Sequence, residues 1–355
     1  MNDDHATLRA VCSAIESVDA DAARATQERL DAKTKPRKSL GALETLACRY
    51  AAIRRTAQLE LPKKAVIVMG ADHGVAEEGV SAYPQAVTAQ MLLNFAAGGA
   101  AINVLARHAD AEVRVVDIGV KEPVLHPAIA SHRVAAGTAN FTRGPAMTEA
   151  EVLRALCVGI EQATALAASG VTVIGLGEMG IANTTASSAL TAVLTGASVE
   201  EVTGTGTGIS DAAKQHKAGV IARAIELNQP DPSDALEALR TLGGLEIAGL
   251  AGVVLGAARA RVAVIVDGFI ASVAALVATR LAPNARDYLI ASHRSTEPGH
   301  RMVLRALEQT PLLDLGMRLG EGTGAALAMT LLDAAVKVLA EMATFESAGV
   351  SDSGA

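Results

Sequence analysis

Five short apolar runs in this chain each end directly in glycine plus a charged or hydrogen-bonding side chain. The endings are GADHG (70–74), DIG (117–119), GLGEMG (175–180), DGF (267–269) and SHRS (292–295). In open parallel sheets the loops beyond the strand ends converge on one crevice, and ligands bind there. Strand ends need polar turn residues in any case, so a single such ending means little; five together point to a ligand crevice. The richest of them opens GLGEMGIANTTASSAL, in which Gly175, Gly177 and Gly180 satisfy the dinucleotide pattern G-x-G-x-x-G. Two details disfavour a nicotinamide dinucleotide. Glu178 would set a carboxylate beside the pyrophosphate, and no clear strand ending in a ribose-binding acid follows about 20 residues later. Asn183, Thr184 and Thr185 instead offer donors at a helix start, where backbone N–H groups and the dipole favour an anion, so a monophosphate suits the loop better. The alternative is that Asn183 or Thr184 simply caps the helix.

Two further segments, GTGTG (204–208) and GEGTG (320–324), permit close backbone approach to a ligand, and each could equally be a plain turn. Glu321 stands between Gly320 and Gly322 just before a helical stretch. A carboxylate there is favoured by the helix N-terminus, either as a capping group or, if it faces the crevice, as a general base. Asp72, His73 and His293 invite a metal reading, but nothing in their spacing resembles H-E-x-x-H or a cysteine–histidine cluster, and hydrogen-bonded structural histidines are the expectation. G-x-S-x-G and the phosphate loop G-x-x-x-x-G-K-[ST] are both absent, which leaves hydrolase and kinase readings without support.

The elements that must position these residues are legible from periodicity. Residues 1–61 read as helical, with Leu8, Val11, Cys12, Ile15 and Val18 at three- and four-residue spacing and a second such set from Leu40 to Tyr50. Pro36 in KTKPRKS breaks the two. From residue 62 to 330, β-branched runs alternate with Ala- and Leu-rich stretches. Strands are expected at 65–69, 113–116, 171–174, 262–266 and 288–291, with a weaker sixth at 202–205. Apolar residues at consecutive positions suit strands covered on both faces, hence an α/β fold with a mostly parallel sheet and helices on both sides. Residues 331–355 carry one apolar stripe from Leu331 to Ala343, expected to complete a small helical domain with the N-terminal segment.

The chain has 355 residues, 50% of them apolar, enough for one large core or two unequal ones. The most apolar stretch, 247–282, is cut by Arg259, Arg261, Asp267 and Arg280 into pieces shorter than the roughly 20 residues of a membrane span, so no membrane association is expected. The acidic start lacks the pattern of a secretory signal, and a cytoplasmic location is expected. A formal charge of -7 without basic runs makes nucleic acid an unlikely partner. Cys12, Cys48 and Cys157 lie far apart and suggest neither disulfides nor a thiolate metal site.

Beyond these patterns, the segments TKPRKSLGALE, ADHGVAEEGVSAYPQAVTAQM, GGAAINVLAR, GEMGIANTT, GGLEIAGLAG, DGFIAS, ASHRSTEPGH and DLGMRLGEGTGAALA follow one another in order from Thr34 onward. In this the chain resembles the nicotinate-nucleotide:dimethylbenzimidazole phosphoribosyltransferase family, and the likeness extends to EMATFESAGVS (341–351), nearly the whole length. The resemblance implies transfer of 5-phosphoribosyl from nicotinate mononucleotide to 5,6-dimethylbenzimidazole, giving α-ribazole 5'-phosphate and nicotinate with inversion, in assembly of the cobalamin nucleotide loop. It implies a homodimer with a Rossmann-like sheet and a small helical domain from both chain ends, and no metal or cofactor. By motif matching, Glu321 is the catalytic base and Glu178 a second acid in the same site. Gly180, Asn183, Thr184, Lys217, Gly268, Ser295 and Gly320 hold the nucleotide, and Tyr83, Gln85 and Met91 lie along the benzimidazole pocket. The chain departs from the family in three places. The family often has Pro-Gly at Arg37-Lys38, often Gly at Ala182 and commonly Arg at Thr205, so some backbone freedom and one cation are expected to be missing near the phosphate.

Overall fold

A computed structural model describes residues 2–206, 208 and 210–351. Six strands form one sheet: β1 (Lys64–Ala71), β2 (Ala111–Gly119), β3 (Ile129–Ser131), β4 (Val173–Met179), β5 (Ala263–Val266) and β6 (Leu289–Ala291). Their order is β3-β2-β1-β4-β5-β6 and every pairing is parallel. This is the doubly wound Rossmann order, with the reversal of direction between β1 and β4. All eight residues of β1 are buried, as consecutive apolar residues require of a central strand.

Helices cover both faces. On one, the Leu245–Arg259 helix lies on β1, β2, β4 and β5 and crosses the Glu149–Ala168 helix. Glycines make that crossing close: a Cβ on Gly159 or Gly252 would run into the facing backbone. On the other face the Thr323–Glu341 helix lies on β4 and β5 and meets the Ala42–Arg54 and Ala101–His108 helices. The chain ends are tied together there, since Thr34 N–H donates to Ala343 O (3.0 Å) and Phe345 N–H to Ala32 O (3.1 Å). The first helix, Asn2–Ser13, packs instead on the opposite face, against the Glu149–Ala168 helix. Two stretches, Val87–His108 and Thr323–Glu341, are long and apolar enough by length and composition to cross a membrane. The first is interrupted by a turn at Gly98-Gly99, and the second buries 56% of its apolar window inside the protein.

Three sequence expectations are corrected. Residues 202–205 form no strand. Ser198 and Glu201 make a reciprocal capping box, Ser198 Oγ accepting from Glu201 N–H (3.3 Å) and Glu201 Oε2 from Ser198 N–H (3.1 Å), so that Val199–Val202 is a helical turn. The sixth strand is β3, only three residues long and at the sheet edge. The expected strand at 171–174 begins at Val173 and continues through GLGEM to Met179, so Gly175 and Gly177 are strand residues and the dinucleotide glycine loop is not formed.

Candidate active site

Beyond the carboxyl ends of β4, β5 and β6 lies a cavity of about 750 Å³. Its walls come from the loops after β4, β5 and β6, the turn before the Thr323–Glu341 helix, and the Val87–Ala96 helix that follows β1. Ten of the residues anticipated from sequence stand on these walls: Tyr83, Met91, Glu178, Gly180, Asn183, Thr184, Gly268, Ser295, Gly320 and Glu321. Two do not. Gln85 turns away and donates from Nε2 to His73 O (3.0 Å), and Lys217 lies behind the wall, fully buried, donating from Nζ to Thr184 Oγ1 (2.7 Å).

Glu178 is placed by the extended β4, whose last residues stay paired with β1 but run beyond their last pairing with β5 to reach the cavity wall. It is 7% exposed and accepts from Asn183 Nδ2. Burial pushes its carboxyl up to about 8. The Asn183 amide opposes this, while Glu246, Asp267 and Glu321 nearby add to it. Asn183 is therefore committed to Glu178 and is no N-cap. The cap is Ala182, held in the left-handed region at φ +78, a conformation that favours glycine.

Glu321 sits at the second residue of a turn closed by Thr323 N–H donating to Gly320 O (3.1 Å). Gly320, Glu321 and Gly322 all have positive φ (+83, +63 and +89), so the turn is of the primed type, and a non-glycine residue is strained in it by about 1–2 kcal/mol. That conformation brings the Glu321 carboxyl onto the cavity wall. Its Oε2 is buried with no hydrogen-bond partner among the described residues, and burial raises its pKa, with the Ile102 backbone opposing and Asp267 adding to the rise.

At the other end of the cavity Thr184 and Gly206 face one another across the buried Lys217, whose ammonium burial brings down to about 8 against the opposing pull of Glu297. Gly206 is held from two sides: its N–H donates to Glu297 Oε1 (3.0 Å), and Arg318 donates to its carbonyl (3.0 Å). Arg318 thus brings a cation to the wall where Thr205 withholds one. Sequence reasoning missed Arg318 and Glu297, although each lies within a few residues of a motif it had singled out. The two histidines that invited a metal reading are engaged separately. His73 Nε2 meets Glu246 Oε1 at 2.6 Å in full burial, and His293 Nδ1 meets Ser292 Oγ at 3.1 Å. Among the described residues no three of His, Cys, Asp and Glu are grouped to hold a metal ion.

The arrangement is a cavity with apolar sides whose walls also carry the carboxyls of Glu178 and Glu321, the Thr184 hydroxyl backed by Lys217, and Arg318. The cations suit a ligand that carries an anionic group, and the carboxyls are groups that can exchange protons with it. A family model described as Phosphoribosyltransferase matches residues 15–350. Over 336 residues the chain is 57% identical to a nicotinate-nucleotide–dimethylbenzimidazole phosphoribosyltransferase of Chloroflexus aggregans, covering 94% of this chain and 95% of that relative. A protein of the same name from Geotalea uraniireducens is 52% identical over 348 residues, covering 97% and 98%. The crystal structure of CobT from Thermus thermophilus superposes with a TM-score of 0.90 at 47% identity, over 93% of this chain and 99% of that one.

Proposed function

Since the chain belongs to the nicotinate-nucleotide:dimethylbenzimidazole phosphoribosyltransferase family, we propose that it moves 5-phosphoribosyl from nicotinate mononucleotide to 5,6-dimethylbenzimidazole, releasing nicotinate and forming α-ribazole 5'-phosphate. The observation that carries this reading is the cavity whose walls bring together Glu321, with an unpartnered buried oxygen, Glu178, held by Asn183, and the Thr184 hydroxyl backed by Lys217.

The donor's pyridinium nitrogen is already cationic, so nicotinate departs with a neutral ring and the leaving group needs little help. The acceptor is the harder partner. A neutral benzimidazole attacking through one nitrogen accumulates positive charge unless the proton on its other nitrogen is removed. Glu321 Oε2 is the group that takes it, while the carboxylate also orients the ring. Tyr83, Val87, Met91 and Leu319 supply apolar walls for that ring. Glu178, once ionised, lies where it stabilises the sugar as positive charge grows at the anomeric carbon. Attack from the face opposite nicotinate converts a β-linked donor to an α-linked product. The 5'-phosphate stays bound at Thr184 and Gly206, near Lys217 and Arg318, and its binding energy positions the ribose. The protein acts as a cytoplasmic homodimer in this reading, and no membrane or nucleic acid takes part.

Incubation with nicotinate mononucleotide and 5,6-dimethylbenzimidazole, read by mass spectrometry, tests the reaction: α-ribazole 5'-phosphate and nicotinate are expected in equal amounts. Glu321→Gln should keep donor affinity within about threefold and lose about 10²–10⁴-fold in turnover, the usual worth of a positioned base. Turnover like that of the unsubstituted enzyme would remove Glu321 from the role.

A further inference from the structure

Asp267 follows β5 directly and is 2% exposed, and it does not line the cavity. Its two carboxyl oxygens are spent on the backbone of the turn that carries Glu321. Oδ2 accepts from Gly322 N–H (3.1 Å), and Oδ1 accepts from Gly324 (2.7 Å) and Ala325 (3.2 Å). The Thr323–Glu341 helix has glycine at its N-cap and no side-chain cap of its own, so these amides have their partner just past the end of β5, more than fifty residues away in sequence. His293 closes the far side, with Nδ1 3.7 Å from Asp267 Oδ1.

We propose that Asp267 is a positioning residue for the reaction: by gripping the amides of Gly322, Gly324 and Ala325 it holds the left-handed Gly320–Gly322 turn and so aims the Glu321 carboxylate at the acceptor. The inference rests on the reading of Glu321 as base. Three consecutive residues with positive φ, one of them carrying a side chain, do not persist as a free loop. A carboxylate that accepts on both oxygens from that turn and the helix it opens supplies the restraint. An asparagine has the same shape, yet presents donors to one of the amides that the carboxylate accepts. The turn should then relax while the cavity's phosphate end, built from other loops, remains.

The test is a double-variant cycle. Asp267→Asn should lower kcat about 100-fold with the donor KM changed less than about threefold, a loss within the range of a positioned base. The pair Asp267→Asn with Glu321→Gln should be no slower than Glu321→Gln alone, because the two act through one group. If the two losses multiply, or if Asp267→Asn turns over normally, the positioning role is overturned. If Glu321→Gln alone retains full turnover, the base itself is wrong and the inference falls with it, a result distinct from a multiplying cycle. Should Asp267→Asn not fold, Gly324→Ala carries the same test, since its Cβ would drive into His293 and stand 2.8 Å from Asp267 Oδ1.

Discussion

Glu178 and Lys217 are buried charges of opposite sign whose titrations, ordinarily far apart, meet near pH 8 in this protein. Burial raises the carboxyl to about 8 and lowers the ammonium to about 8. At neutral pH the donor-free site therefore holds Glu178 protonated and Lys217 charged. A donor with a cationic ring favours ionised Glu178, and its phosphate favours charged Lys217. Below pH 8, donor binding must drive a proton off Glu178, so affinity should climb by up to about tenfold per pH unit as pH rises toward 8. Above 8, Lys217 loses its charge and affinity should fall. Donor affinity measured across pH 6 to 10 should thus be bell-shaped with its maximum near 8, and Glu178→Gln should abolish the acid limb alone. Glu178, Asn183, Thr184 and Glu321 were visible in the sequence from the glycine-rich segments that carry them, whereas Tyr83, Met91 and Lys217 came only with the family resemblance. What escaped was backbone conformation. Ala182 at φ +78 and Lys38 at φ +59 occupy left-handed positions that favour glycine, and no side-chain pattern in a single chain reports that.

Gly175 and Gly177 show how an element can be misread while its residues are read well. In the sequence they look like the loop of a dinucleotide fold, because glycine is the strongest breaker signal. In the structure both lie inside β4, and their missing side chains make room for the neighbouring helix. A Cβ on Gly175 would stand 3.0 Å from Met329 Cε, and one on Gly177 would collide with the carbonyl of Glu321. Glycine in a strand marks close approach of another backbone, here the turn that bears the base. Gly177→Ala should therefore push that turn off the sheet. Turnover should drop at least about tenfold with donor affinity nearly intact, for a lateral shift near 1 Å costs about 10²-fold where positioning matters. Equal losses in donor affinity and turnover would show that β4 rather than the turn had moved. Long periodic helices and buried strands were legible, since their apolar patterns repeat. The three-residue β3 was not, because Ile129-Ala130-Ser131 holds a single β-branched residue, and the capped turn at 199–202 was not, because Val202 and Thr203 read as strand formers.

At the scale of the whole molecule, the parallel order places polar strand ends on one rim, and the helix that begins at Glu321's turn runs back to where the two chain ends are tied. Burying ionisable groups at that rim for function has a consequence for stability that the net charge alone does not reveal. Below pH 6.5 several groups titrate against one another, because His300 is held down to about 3 by burial and so favours unfolding as its unfolded counterpart gains a proton. Between 6.5 and 8 the balance is simpler, with Lys217, brought down to about 8, opposing the carboxyls only toward the upper end, where the unfolded chain keeps a proton that the folded one is losing. Glu178, raised to about 8, keeps its proton in the folded protein and has lost it in the unfolded one, and Asp267, raised to about 7, behaves likewise over the first part of that range. The folded state then binds more protons than the unfolded, so stability must decrease with rising pH, by up to about 1.4 kcal/mol per pH unit for each such group. Denaturant unfolding of the donor-free protein at pH 6.5, 7.2 and 8 should show that decline, and Glu178→Gln, which has no proton to lose, should flatten most of it. A slope unchanged in that variant would mean that Glu178 is ionised in the resting site, and the acid limb expected for donor binding would vanish with it.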